Sequence, residues 1–214
     1  MAILKSQAHL QIARSGSIKR RLMEISSKNV GRIAERIAMN ELEARGFHIV
    51  DLAYMSKTSA NVDFMASRDG RSFNIQVKGA SNAIRPENPR WAVQYGYCDD
   101  DIVERRQPFF NRKTNFALRA DVIVLIAVKS PSEYQAVVMP VAVAEEAAQL
   151  NLSGYYRLPK ANGGKRLPNK VWTDLEAARN PRKLDPFKDK ERAILRNYKD
   201  AWDRVDSFVL AERS

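Results

Sequence analysis

Cysteine occurs once, as Cys98, and histidine twice, as His9 and His48. A lone cysteine excludes an internal disulfide and a cysteine zinc site, and gives no sign of an oxidising compartment. Two histidines are too few for a histidine-rich metal centre, and no motif supports a Cys–His nucleophile. His48 stands in Phe47-His48-Ile49-Val50, where it reads as a structural histidine borne on a strand. No apolar run approaches the roughly 18 residues of a membrane span. The segment Met1-Ala2-Ile3-Leu4-Lys5-Ser6-Gln7 lacks the apolar core of a secretory signal, so a cytoplasmic location is the expected default. The glycines of Pro159-Lys160-Ala161-Asn162-Gly163-Gly164-Lys165-Arg166 do not match G-x-x-x-x-G-K-[ST]. That argues against a phosphate-cradling P-loop and leaves a basic loop suited to backbone contact or to simple disorder. There is no internal repeat.

What the chain does have is positive charge. Its 214 residues carry 36 Lys and Arg against 25 Asp and Glu, a net charge of +11, which points to an anionic partner. Residues 1–30 carry six Lys/Arg against one acid, residues 31–150 fifteen of each, and residues 151–214 fifteen against nine. A neutral middle between two basic ends suits arms that hold a nucleic-acid backbone. Basic ends also serve solubility or nonspecific RNA binding. The length fits one domain, or one domain with an appendage, and the 44% hydrophobic content supports a sizeable core.

Residues 1–29 read as a polar, basic helical arm. Val30, Ile33, Ala34, Ile37, Ala38 and Leu42 follow helical spacing, and Gly46 stands where a C-cap glycine ends a helix. Phe47 to Tyr54 reads as a strand. Trp91 to Tyr97 is a further candidate strand, within a stretch that mixes Arg85, Arg90, Arg105 and Arg106 with aromatics, as nucleic-acid surfaces and ordinary amphipathic inserts both do. Asp99-Asp100-Asp101 reads as solvated rather than as a metal site. The continuous run Asp121 to Val128 predicts a strand buried on both faces. Tyr134 to Met139 predicts its neighbour, ended by Pro140, and Val141 to Leu150 a helix with Glu145 and Glu146 facing solvent. A sheet covered on both sides makes the class α/β, with mixed strands flanked by helices. Residues 186–211 read as one helix, with Ile194, Leu195, Tyr198, Trp202, Val205 and Phe208 as its apolar stripe.

The most informative segment is 61–78. Two alternating runs flank Asp69-Gly70, a dipeptide that tolerates positive φ at both positions and so suits a two-residue hairpin turn. With Arg68 opposite Arg71, Asp63 falls opposite Gln76, and Lys78 lies two residues on, on the same face. That face carries Asn61, Asp63, Met65, Asn74, Gln76 and Lys78; the other carries Val62, Phe64, Ala66, Phe73, Ile75 and Val77. One face is a core. The other holds a carboxylate, an amide and a lysine within about 4.5–5.5 Å of cross-strand spacing. Hard oxygen donors suit Mg²⁺, and a lysine beside them can orient or help deprotonate a water. The same face reads equally as a solvated hairpin surface with one incidental ion pair. Glu35 falls at the border of the upstream helix's apolar stripe, where it stays solvated or leans over a sheet.

Gly31-Arg32-Ile33-Ala34-Glu35, Leu42, Gly46-Phe47, Asn61-Val62-Asp63-Phe64 and Ile75-Gln76-Val77-Lys78, in that order, resemble the PD-(D/E)XK nuclease superfamily, whose fold is called restriction-endonuclease-like. The resemblance covers about 50 residues. Two departures stand out: Gln76 replaces the usual acid, and Val62 rather than Pro precedes Asp63. Carried over residue by residue, the resemblance makes Asp63 the central metal ligand. Gln76 and the Val77 carbonyl would complete the metal shell, Glu35 would be the helix acid, and Lys78 the catalytic lysine. It implies a DNA endonuclease that uses Mg²⁺, with Mn²⁺ able to substitute. The alternatives are a nuclease-fold DNA-binding protein without catalysis, and a basic RNA-associated protein with an unrelated core. On this reading residues 30–150 are the nuclease-like core and 151–214 a basic loop with a helical extension. A double-strand break needs two such sites, and the stripe of Leu195, Tyr198, Trp202, Val205 and Phe208 is the candidate contact of a homodimer. Intramolecular packing explains that stripe equally well.

Overall fold

A computed structural model describes residues 29–52, 62–81, 90–94, 120–130, 132–157, 170–176 and 186–208. The basic arm before residue 29, Asn61, Cys98, the triple Asp and the basic loop 158–169 lie outside the described residues, as does most of the Arg- and aromatic-rich stretch.

Helix α1 spans 29–43. Its end closes as the glycine predicts: Gly46 takes φ 82°, and the Gly46 and Phe47 N–H groups donate to Glu43 and Leu42 carbonyls at 2.9 and 3.1 Å. Strands β1 (His48–Asp51), β2 (Phe64–Arg68) and β3 (Arg71–Ser81) follow, then β4 (Arg90–Gln94), β5 (Val122–Ser130) and β6 (Glu133–Pro140). Helix α2 (Val141–Arg157), β7 (Lys170–Asp174), helix α3 (Pro186–Asn197) and a 3₁₀ helix (Trp202–Ser207) complete the order. The main sheet runs β1-β2-β3-β5-β6, and β4 pairs with β7 in a second, two-stranded sheet. Only β3 and β5 pair in parallel among the described strands, so the sheet is mixed and the class is α/β, as expected.

The β2–β3 hairpin has the predicted register, Phe64 opposite Ile75 and Arg68 opposite Arg71. Asp69 and Gly70 both take positive φ, 51° and 74°, the twist that a two-residue hairpin turn requires. Strand β5 is buried from Val122 to Val128. Its even-numbered residues join the core under α1, and Ile123, Leu125 and Ala127 join a second core under α2. Two covered faces explain the unbroken apolar run. Asp121 pins the start of the parallel pairing: its carboxylate accepts the Asn74 N–H at 2.7 Å and its own N–H donates to the Asn74 carbonyl at 2.8 Å.

The C-terminal region departs from expectation. Of the expected helix 186–211, the described residues 186–208 are not one helix. Helix α3 stops at Asn197, Asp200 takes φ 50°, and the chain lies along β6 before the 3₁₀ turn. There the Val138 N–H donates to the Tyr198 carbonyl at 2.9 Å, and the Asp200 N–H to the Ala136 carbonyl at 3.0 Å. This short segment covers an otherwise open sheet edge, which is a physical reason for the break. The apolar stripe offered as a dimer contact is consumed inside the chain: Trp202 is 3% exposed, and Leu195, Val205 and Phe208 are buried in the two cores. It is therefore not a surface on which a second subunit could dock. Arg68 pairs with Asp206, and Arg71 donates to the Asp206 and Phe208 carbonyls, so this segment is clamped to the hairpin turn.

Strand β7 was not anticipated from the sequence. It is fixed by a buried polar cluster. The fully buried Glu191 carboxylate accepts Asn151 Nδ2 at 2.7 Å, Thr173 Oγ1 at 2.8 Å and Lys188 Nζ at 2.7 Å. Beside it Arg192 Nε donates to Asp174 at 2.8 Å. Side chains from α2, β7 and α3 thus meet on one carboxylate. His48 lies on β1, as expected, but exposed, so it does no work in the core. No described helix is long and apolar enough to cross a membrane.

Candidate functional site

Asp63 stands just ahead of β2, one residue short of the strand that the alternation predicted. Its N–H still donates to the Ile75 carbonyl at 2.9 Å, and its Oδ2 accepts the Val77 N–H at 2.6 Å. The side chain thus takes a ladder position that a backbone carbonyl fills in a regular hairpin. The N–H and C=O of one extended residue leave the strand on the same edge, so the Val77 carbonyl also points from the edge of β3 that faces Asp63.

Gln76 and Lys78 project from the sheet face opposite Val77, as the alternation predicts. Gln76 is 2% exposed and Lys78 half-buried. Glu35 arrives from α1, which covers the other face. Its approach depends on Gly79: a Cβ there would lie 2.9 Å from the Ala34 Cβ, 2.9 Å from the Val30 carbonyl oxygen and 3.2 Å from the Gly31 Cα. Without a side chain at 79, the helix seats directly on β3 one residue past Lys78, with Glu35 the next residue after Ala34.

Electrostatics link the elements. Burial, then the charges of Asp63 and Asp51, push the Glu35 carboxyl above its ordinary range, against the pull of Arg32 and Arg36. Burial likewise raises the Asp63 carboxyl, opposed by the Val77 N–H and the Lys78 ammonium. Asp63 is therefore the hub, in hydrogen-bond contact with Val77 and in electrostatic reach of Glu35 and Lys78. Gln76 is buried on the face of β3 away from α1, and the register between β2 and β3 begins one residue on, with Phe64 opposite Ile75.

Three contributors were not singled out from the sequence. Asp51 ends β1 opposite Phe64 and adds negative charge beside Glu35. Arg36 approaches Asp51 at 4.0 Å, and Arg32 flanks Glu35 one turn earlier on the helix. The arginines at Glu35−3 and Glu35+1 are visible in the sequence; their relation to Asp51 needs the β1–β2 pairing.

Among the described residues, no three of His, Cys, Asp and Glu converge as a metal-binding group. The donors to weigh are two carboxylates, Glu35 and Asp63, with the neutral oxygens of Gln76 and Val77. All are hard oxygens. Burial pushes both carboxyls up and the charge of Asp63 raises Glu35 further, an unfavourable pairing that a nearby divalent cation would relieve. So small a charge fits Mg²⁺, which keeps several waters and takes only one or two carboxylates from a protein.

No protein-family model matches the sequence, and no curated protein matches it. Among solved structures, the chain is similar to a bacterial homing endonuclease, I-Ssp6803I, at 16% identity and a TM-score of 0.42, over 84% of this chain and 91% of that one. These comparisons assign the chain neither family nor activity.

Proposed function

We propose that this protein is a metal-dependent endonuclease that hydrolyses phosphodiester bonds in DNA. The observation that carries this reading is the Asp63 carboxylate, tied to Val77 N–H at 2.6 Å within electrostatic reach of both Glu35 and Lys78. Glu35, Asp63, Gln76 and the Val77 carbonyl would hold Mg²⁺, or Mn²⁺ in its place. The bound ion would supply an acidified water and neutralise charge on the phosphate. Asp63 is held in one orientation by the Val77 N–H, so it enters the reaction pre-positioned. Lys78 stands beside it to orient the attacking water and offset charge as it develops on the phosphate. Glu35, reaching over from α1, would hold the ion or position that water.

One observation favours a second reading, a DNA-binding protein of the same architecture without catalysis: position 76 is a neutral amide, leaving two carboxylates. Supercoiled, linear, single-stranded and branched DNA incubated with Mg²⁺ or Mn²⁺ separate the two. The catalytic reading expects cleavage that Asp63→Ala and Lys78→Ala abolish while folding and most DNA affinity survive. Binding without hydrolysis of any form selects the second reading.

A further inference from the structure

Helix α1 carries a feature that the metal cluster does not use. Asn29, Arg32, Ile33, Arg36, Ile37 and Asn40 line an open cleft of about 500 Å³. Their spacing is that of one helical strip. Ile33 and Ile37 turn into the core and form its floor, while Arg32, Arg36 and Asn40 are exposed at its rim. The strip runs about 16 Å along the helix, the axial rise of about five nucleotides of one strand.

We propose that this cleft binds the phosphate backbone of a DNA strand adjoining the scissile phosphate, with Arg32 and Arg36 contacting successive phosphates. The inference rests on the nuclease reading and adds the path of the substrate. Charge complementarity is the first argument. Two guanidiniums one helical turn apart, about 5–6 Å between Cβ atoms, present ten N–H donors to phosphate oxygens. Continuity is the second. Arg32 and Arg36 flank Glu35 on the helix and Arg36 lies 4.0 Å from Asp51, so a strand in the cleft passes beside the candidate metal cluster. Availability is the third. The Arg36 contact to Asp51 is 4.0 Å long with the arginine side chain 62% exposed, a weak pair that a phosphate can displace. The isoleucine floor suits the sugar edge, and the Asn40 amide can donate to a phosphate beyond Arg36.

The test measures binding of the full chain to duplex DNA in EDTA, across a salt series, so that cleavage does not enter. Arg32→Ala/Arg36→Ala is compared with wild type and with Lys129→Ala/Lys190→Ala, which removes the same charge from exposed sites on β5 and α3. Loss of two phosphate contacts lowers the slope of log K against log salt by about 1.8, so between 50 and 200 mM salt the variant loses about 12-fold less affinity than wild type. The lysine control keeps the wild-type slope, and urea denaturation of all three proteins agrees. An arginine variant with the wild-type slope, or a control that loses as much, overturns the cleft assignment while metal-dependent cleavage by wild type leaves the nuclease reading standing. A wild type that neither binds nor cleaves DNA overturns both.

Discussion

Replacing Gly79 with alanine tests whether the seating of α1 on β3 is what brings Glu35 to Asp63. The new Cβ would stand 2.9 Å from two atoms and 3.2 Å from a third. Carbon atoms in a packed core prefer about 3.5–4.0 Å, so the helix must lift by about 0.5 Å or more. The Val30 oxygen and Gly31 Cα are backbone, and the Ala34 Cβ has no rotamer to change, so side-chain adjustment gives no relief. Overpacking of this kind costs about 1–3 kcal/mol. Taking 2 kcal/mol and an m-value of about 2 kcal/mol/M, the urea midpoint falls by about 1 M. On the proposed nuclease function, the displaced Glu35 would add a functional loss: a shift of about 1 Å costs about 100-fold, so half that distance would cost about tenfold in cleavage. In a Glu35→Gln background the added functional loss should vanish, because the displaced group is already gone. A Gly79→Ala protein with an unchanged urea midpoint would refute the close-approach argument. A Gly79 effect on cleavage that persists undiminished in the Glu35→Gln background would show that the helix shift acts through something other than Glu35.

Gln76→Glu should destabilise the metal-free protein, because it buries a third carboxylate near Asp63. Mg²⁺ should raise the melting temperature of this variant more than that of wild type; at 100 times the variant's own Kd its linkage stabilisation is about 2.7 kcal/mol, and an equal response of the two proteins counts against position 76 as a ligand. Glu191→Gln strands the Lys188 ammonium, which is 15% exposed, and should cost about 3 kcal/mol in denaturant unfolding. Burial raises the Glu191 carboxyl above its ordinary 4.5, so the native state keeps a proton that the unfolded chain has lost; stability should fall as pH rises from 4.5 through the folded value, and Glu191→Gln should lack that slope. Trp202→Ala should cost about 3–5 kcal/mol without changing the oligomeric state read by light scattering, since the ring is core. A change of oligomeric state at unchanged stability would return the C-terminal stripe to an interface.

The hairpin was legible because its register is fixed locally. Asp69-Gly70 sets the turn, and a period of two then assigns every side chain to a face. Helix α1 was legible for the same reason, from its apolar period and Gly46. What escaped the sequence depends on distance between elements. Gly79 looks like any glycine in a strand until α1 is placed on it. Strand β7 pairs with β4 across about 80 residues, with Trp91 opposite Thr173, and no local pattern announces such a partner. Tyr198, Trp202, Val205 and Phe208 have the period of a continuing helix, yet they are carried by a turn and a 3₁₀ segment. Both conformations bring residues three or four apart to one side, so periodicity cannot separate them.

Gln76 is the residue at which the two lines of argument pull apart, and burial accounts for it. In the resemblance an acid at this position strengthens the metal site. In this chain the position is 2% exposed, next in sequence to Val77, whose N–H holds the Asp63 carboxylate; burial already raises that carboxyl, and Glu35 is raised by burial and by Asp63 in turn. A third carboxylate there would be desolvated and repelled unless a cation were present. An amide keeps an oxygen donor at the same place and removes that cost when the site is empty. On the proposed metal site, an amide at 76 in place of an acid would exchange metal affinity for stability without metal, and the exchange has a measurable sign. Mg²⁺ should raise the urea midpoint of wild type, and should raise that of Gln76→Glu by more. If wild type proves as metal-dependent in its stability as the glutamate variant, the amide is not relieving the charge that the structure places around it.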